Sequence, residues 1–194
     1  MESNFEQVKV LFLNGLRTLD INLEEAQLVQ FFEYYELMIK WNKVMNLTAI
    51  TNIEDVVQKH FLDSLSIVKV FRPSHEVVLD MGTGAGFPGI PMKIAFPEIK
   101  VVLIDSLKKR INFLQEVIDS LGLKNITAIH GRAEDYGHDV KYRERFDICV
   151  SRAVAKLPTL SEYCLPYVKL GGYFISYKSG QIDDELKSTV NAVR

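Results

Sequence analysis

Cysteine is scarce in this sequence. The 194 residues hold two, Cys149 and Cys164, with neither CxxC spacing nor a cluster of histidines beside them. A disulfide framework and a cysteine metal site are therefore not expected, and both thiols read as buried and free. Long apolar runs are missing too. No stretch approaches the roughly 18 residues of a membrane-spanning helix, and the start MESNFEQVKV has no basic segment leading into an apolar one. A soluble cytoplasmic protein with no membrane partner is expected. Internal repeats and low-complexity linkers are absent as well. The net charge is only −2, which gives no general attraction to nucleic acid. Residues 1–70 are net acidic, and the basic groups gather later, at Lys108-Lys109-Arg110 and in Lys141-Tyr-Arg143-Glu-Arg145. Each cluster reads as a solvated helix face, with an RNA partner left open.

What is present suits a folded domain. A content of 47% hydrophobic and 25% charged residues fits one globular unit with a sizeable core. Residues 1–70 read as a helical N-terminal extension. In EEAQLVQFFEYYELMIKWNKVMNL the apolar positions Leu28, Phe31, Phe32, Tyr35, Met38, Ile39 and Trp41 recur at three-and-four spacing, a stripe that needs a partner surface. Thr51 and Glu54 have capping-box spacing at the start of the helix EDVVQKHFLDSLSIV. Residues 71–194 alternate short apolar strands, at 77–81, 101–105, 126–130, 147–151 and 173–177, with helices at 90–96, 108–121 and 157–168. Strands apolar on both faces and separated by helices predict a doubly wound, mainly parallel α/β sheet covered on both sides. Ligands of such sheets bind beyond the carboxyl ends of the strands, where strand order reverses.

The first strand leads there into LDMGTGAGFPG, residues 79–89. Gly84 to Gly89 has the GxxxxG half of a phosphate-binding loop, but Ile90 and Pro91 stand where Lys and Ser or Thr are required, so a nucleoside triphosphate is not expected. GxGxxG is also satisfied, which leaves a dinucleotide such as NAD open. Asp80 tells against it: a carboxylate at the mouth of the strand repels a pyrophosphate and suits a ligand with an ammonium and a sulfonium. S-adenosylmethionine is such a ligand. Gly82, Gly84 and Gly86 would admit close backbone approach, and Asp105, ending the second strand, is placed to accept hydrogen bonds from ribose hydroxyls. Glu134, after the third strand, faces either the adenine end of the ligand or an ordinary turn.

Past the fourth strand the chain reads Ser151-Arg152-Ala153-Val154. Methyltransferases of exocyclic amines carry Asn or Asp, Pro-Pro and an aromatic residue at this exit, and cytosine C5 enzymes present a nucleophilic Cys. Neither pattern occurs, since Cys149 lies inside the strand. An Arg here suits an acceptor that is already nucleophilic. Guanine N7 offers a free lone pair, so alignment of donor and acceptor would provide most of the catalysis. Arg152 can hold an acceptor edge, a phosphate or the donor's carboxylate.

Together these residues resemble the RsmG family, formerly glucose-inhibited division protein B, the bacterial small-subunit rRNA guanine-N7 methyltransferases. The resemblance runs through residues 41–48, 60–65, 79–91 and 105–110, Arg132-Ala133-Glu134 and Ser151-Arg152-Ala153. It implies a Rossmann-like class I S-adenosylmethionine-dependent methyltransferase fold, acting on 16S rRNA or the small ribosomal subunit as a monomer. It also implies donor contacts at Gly82, Phe87, Asp105, Ala133, Glu134 and Arg152; with Asp80, Gly84, Ser106 and Leu107 these form the candidate cofactor set. Asn46, His60 and Asp63 match recurring family positions, and His60 and Asp63 join Arg152 as catalytic candidates. Family members usually continue through two further strands and a basic segment, so the sheet is expected to lack its C-terminal strands, with an exposed edge at YFISY and reduced stability and RNA affinity. An NAD-dependent oxidoreductase and a non-catalytic RNA-binding module remain the competing readings.

Overall fold

The computed structural model describes residues 2–152, 155–180 and 182–193, and the side chains of 6–152, 155–180 and 182–189. Five strands, β1 (Val77–Met81), β2 (Lys100–Asp105), β3 (Ile126–His130), β4 (Phe146–Arg152) and β5 (Val168–Tyr177), form one parallel sheet in the order β3-β2-β1-β4-β5. β1 is central, with Val78 paired to Val101 on one side and Ile148 on the other. That explains its apolar sequence, because a central parallel strand is covered on both faces. The chain winds outward from β1 to β3 and returns to β4 on the opposite side. Strand order therefore reverses between β1 and β4, which opens the ligand crevice at their carboxyl ends.

Helix α2 (Glu25–Asn42) packs on α5 (Gly89–Ala95) and α6 (Lys108–Ser120), and α1 (Glu2–Thr18) packs on the helical segment at residues 53–62. One continuous apolar core unites them, centred on Phe12, Phe31 and Phe61, whose rings meet at centroid distances of 4.9 Å (Phe12–Phe31) and 5.0 Å (Phe31–Phe61). Each such fully buried ring contributes on the order of 2–3 kcal/mol of transfer free energy. Polar ties fix the register. Gln27 Nε2 donates to the Ile94 carbonyl at 2.7 Å, and Trp41 Nε1 donates to Glu116 Oε2 at 2.9 Å. The stripe on α2 gains Tyr34, which is fully buried; Tyr35, Ile39 and Trp41 are half-buried against the same core, and Tyr35 donates to the Thr51 carbonyl.

Other expectations shift for local reasons. Thr51 and Glu54 do not form a capping box. Asn52 caps instead, its Oδ1 accepting from the Glu54 and Asp55 N–H groups, an arrangement Asn makes as readily as Thr. The helix that follows is not uniform: α3 (Ile53–Val56) passes into a π-helical turn at Val57–Leu62, then α4 (Asp63–Leu65) and a 3₁₀ turn at Ser66–Lys69. π-turns inside helices concentrate at functional sites, and this one carries His60. After α7 (Ala133–Tyr136), Lys141-Tyr-Arg143-Glu-Arg145 forms turns rather than a helix face, with Arg143 and Arg145 donating to the Gly137 and Val140 carbonyls. The helix expected at 157–168 is α8 (Leu157–Cys164) with one 3₁₀ turn, after which β5 begins at Val168; Pro166 lacks the N–H that an α-helix would need there. α9 (Asp183–Val193) packs on α8, and β5 lies at the edge of the sheet. Cys149 and Cys164 are buried free thiols.

Candidate active site

The loop after β1 bends back on itself because Gly82, Gly84 and Gly86 take positive φ values of 68°, 63° and 99°, which L side chains adopt only at a cost. Its shape is held by two carboxylates. Asp80 Oδ2 accepts from Thr83 Oγ1 at 2.6 Å and from the Gly89 N–H at 2.8 Å. Asp105 Oδ2 accepts from the Gly84 N–H at 2.9 Å and from Arg110 Nη1 at 3.2 Å, while its Oδ1 takes the Leu107 N–H. Asp80 thus stands elsewhere than expected. It is 0% exposed, packed behind the loop and against Gly89 instead of in the open crevice. Burial pushes its carboxyl up to about 6, against the pull of the Thr83 and Gly89 hydrogen bonds. The charge argument against a dinucleotide therefore loses its footing, because this carboxylate does not face the ligand space.

Between the ends of β1, β2 and β3 lies a pocket of about 230 Å³, lined by Gly82, Asp105, Ser106, Ala133, Glu134 and the unforeseen Tyr163. Five of the candidate cofactor residues meet here. Ala133 is held in place by Tyr167, whose hydroxyl donates to its carbonyl, and the neighbouring Glu134 carboxylate raises the pKa of the Tyr163 phenol. Gly84 sits beside the pocket with open space where a Cβ would be. Leu107 is half exposed and contributes its backbone N–H to Asp105. Tyr163 comes from α8, and no motif spacing connects it to the glycine loop.

The remaining candidates assemble around Arg152, at the end of β4 and one strand over from Gly82. Ala153 and Val154, which complete the tetrapeptide Ser151 to Val154, lie outside the described residues. Ser151 Oγ donates to the Met81 carbonyl at 2.8 Å and locks β4 to β1. The Arg152 guanidinium has four neighbours. Nη1 donates to Asp63 Oδ2 at 2.8 Å and to the Lys59 carbonyl at 3.1 Å, Nη2 donates to His60 Nδ1 at 3.1 Å, and the group lies 5.0 Å from the Phe87 ring centre. His60 stacks on the same ring at 4.5 Å. His60 Nδ1 accepts from the guanidinium in the tautomer that carries its proton on Nε2, which faces Thr48 Oγ1 at 2.9 Å, and in the other tautomer it donates to the Lys59 carbonyl, also 3.1 Å away. Burial, and then the adjacent Arg152 charge, push the imidazole down to about 4. His60 is neutral at physiological pH. Phe87 is buried against both of these groups and lines neither cavity, whereas Asn46 is exposed. His60, Asp63 and Arg152 also line a larger cavity of about 1220 Å³ with Lys59, Lys69 and Tyr177. Thr48 was the residue missed on this side; it lies within the string WNKVMNLT, where Asn42 folds the loop by accepting from the Leu47 and Thr48 N–H groups.

Comparison with known proteins places this arrangement. Residues 27–193 match the family described as GidB, rRNA small subunit methyltransferase G. The chain belongs to this family. A GidB relative named ribosomal RNA small subunit methyltransferase G, from Lachnoclostridium phytofermentans, is 59% identical over 183 residues, 94% of this chain and 76% of its own length. Its counterpart in Desulforamulus reducens is 55% identical, over 91% of this chain and 74% of its own. The chain thus spans about three quarters of these GidB relatives. Among solved structures, a precorrin-6y C5,15-methyltransferase from Geobacter metallireducens superposes with a TM-score of 0.52 at 12% identity, over 77% of this chain and 73% of that one. A SAM-dependent methyltransferase from Aquifex aeolicus gives 0.50 at 22% identity, over 68% and 74%. Both share the fold: a Rossmann-like methyltransferase sheet.

Proposed function

We propose that the protein transfers a methyl group from S-adenosylmethionine to N7 of a guanine in small-subunit (16S) rRNA. The observation that carries the acceptor is the absence of a free base or nucleophile around Arg152 among the described residues. His60 is held neutral with its Nδ1 already engaged, the Asp63 carboxylate is paired with Arg152, and Cys149 is buried with its thiol pushed up by burial. An exocyclic amine or a cytosine C5 would need one or the other. Guanine N7 brings its own lone pair.

The residues fit the donor. Gly84 leaves open space where a side chain would project, and Asp105 and Glu134 give the 230 Å³ pocket acceptor groups suited to hydroxyls and an amino group. Gly82, Asp105, Ser106, Ala133 and Glu134 would hold its nucleoside end. When bound, the donor supplies an electrophilic methyl group on a sulfonium. Arg152, fixed by Asp63, His60 and Phe87, would position the acceptor edge by a hydrogen bond to guanine O6, which leaves the N7 lone pair free to attack the methyl carbon. Lys69 on the larger cavity would meet RNA phosphates, while Lys59 and Lys178 there are paired with Asp55 and Glu185. No described helix is long and apolar enough to cross a membrane, and we place the protein in the cytoplasm, as a monomer, with the ribosomal subunit as partner.

Calorimetry with S-adenosylmethionine and NAD, followed by incubation of protein, labelled donor and unmodified small subunits, tests this reading. Binding of S-adenosylmethionine alone and label in 16S rRNA are expected. NAD binding, or label only in protein or small molecules, contradicts it.

A further inference from the structure

Two of the anchors on the glycine loop come from the sheet, through Asp80 and Asp105. A third does not. Tyr34, from the middle of α2, reaches across 51 positions of sequence and donates its hydroxyl to the Ala85 carbonyl at the loop's turn. Both groups are shut off from water, with Tyr34 at 0% and Ala85 at 4% exposure. The hydroxyl also fills the space beside Gly86, where a Cβ would lie 2.8 Å from it. The ring is held rigidly in turn, stacked on Phe61 at 5.8 Å and Phe113 at 6.5 Å, and 5.4 Å from Phe87.

We propose that Tyr34 is a positioning residue through which the N-terminal helices set the glycine loop for the methyl donor. It does not touch the donor pocket. It acts on the segment Gly84-Ala-Gly86, whose two glycines take positive φ freely and for the same reason leave the backbone loose unless surrounding contacts fix it. Asp105 fixes Gly84 on one side of Ala85, and Asp80 fixes Gly89 on the other. Without Tyr34, the carbonyl between them has no partner in a site too buried for water to replace one. Burial keeps the phenol protonated, so the donor is permanent across the working pH range. The same ring borders Phe87, on which Arg152 lies, so one helix supports both the donor loop and the floor of the acceptor side. The inference rests on reading this loop as a wall of the donor site.

Tyr34→Phe removes one oxygen and keeps the ring, and Trp41→Phe serves as its control because it removes one of the two bonds of the same helix to Glu116, leaving that of Lys40, without touching the loop. Donor affinity by calorimetry, donor KM and kcat, and amide exchange at Gly86 and Phe87, both bonded to the Thr83 carbonyl, are measured for each. For Tyr34→Phe, donor affinity about tenfold weaker, KM raised with kcat at saturating donor within about twofold, and faster exchange at both amides are expected. Trp41→Phe should lower the melting temperature yet leave donor affinity within about twofold. Wild-type affinity and exchange in Tyr34→Phe, or an equal affinity loss in Trp41→Phe, overturns the proposal. If the wild-type chain takes up no S-adenosylmethionine, the donor-site reading itself has failed, and Tyr34 loses its role in donor binding with it.

Discussion

Arg152→Lys keeps a positive charge at the exit of β4 and removes the fork. In the wild type the guanidinium serves Asp63, the Lys59 carbonyl and His60 Nδ1 at once while lying on Phe87. A single ammonium can retain Asp63 but not the flat contact with Phe87 or the alignment with His60. The cation–π contact is worth about 1 kcal/mol and the hydrogen bond to His60 about another. The ion pair adds little, because Asp63 is 46% exposed and solvent screens it. A total of about 2 kcal/mol lowers the melting temperature by roughly 4–8 °C for a chain of this size. The effect on transfer is larger, since a displacement of about 1 Å at a positioning group costs on the order of a hundredfold in rate. Stopped-time methylation of small subunits, with donor affinity measured separately, distinguishes the two. A hundredfold loss in kcat with donor affinity within about threefold is expected. Transfer within twofold of wild type would refute the reasoning, and so would a donor affinity that falls as steeply as kcat.

The two shifted groups at the site give opposite pH trends in denaturant unfolding. Asp80, raised to about 6, contributes stability below pH 4 that is lost as pH rises through 6, and His60, lowered to about 4, contributes stability above pH 6.5 that is lost as pH falls toward 4. Asp80→Asn should therefore expose a fall in stability between pH 6.5 and 4, whereas His60→Asn should expose a rise of up to roughly 3 kcal/mol; parallel curves for both variants and wild type would contradict these shifts. Gly84→Ala meets open space but a positive φ, so a cost of about 1 kcal/mol and a clear loss of donor affinity are expected. Gly86→Ala adds clashes at 2.6 Å with Ile90 and 2.8 Å with Tyr34, and should destabilise by at least about 2 kcal/mol in the same thermal melts. Asp105→Asn leaves the Gly84 or the Leu107 N–H facing an amide NH₂, and calorimetry should show donor affinity at least tenfold weaker.

Periodicity was enough to place β1, β3 and the parallel architecture, because apolar strands between amphipathic helices admit few packings. Boundaries moved where one residue decided the local geometry, as Pro166 did after α8 and Asn52 did before α3. The π-turn at Val57–Leu62 was not legible in the hydrophobic pattern, because α3 and α4 on either side of it are too short to show a phase jump of about 100°. Asp80 was found by motif yet misplaced in role: spacing tells which strand a carboxylate ends, not whether the loop folds over it. Tyr34 escaped because its neighbour Tyr35 fits the stripe equally well, and only the packed loop reveals which tyrosine it needs. The grouping of Arg152 with His60 and Asp63 was legible through family resemblance alone, since some ninety residues separate β4 from the helix that meets it.

The chemistry of the acceptor is tested most directly by the modified nucleoside itself. Unmodified small subunits are incubated with the protein and labelled S-adenosylmethionine, the 16S rRNA is digested to nucleosides, and the labelled product is identified by mass and co-migration. N7-methylguanosine, lost in Arg152→Lys, is the expected result. Label on an exocyclic amine, on cytosine C5 or on ribose would contradict an acceptor that brings its own lone pair.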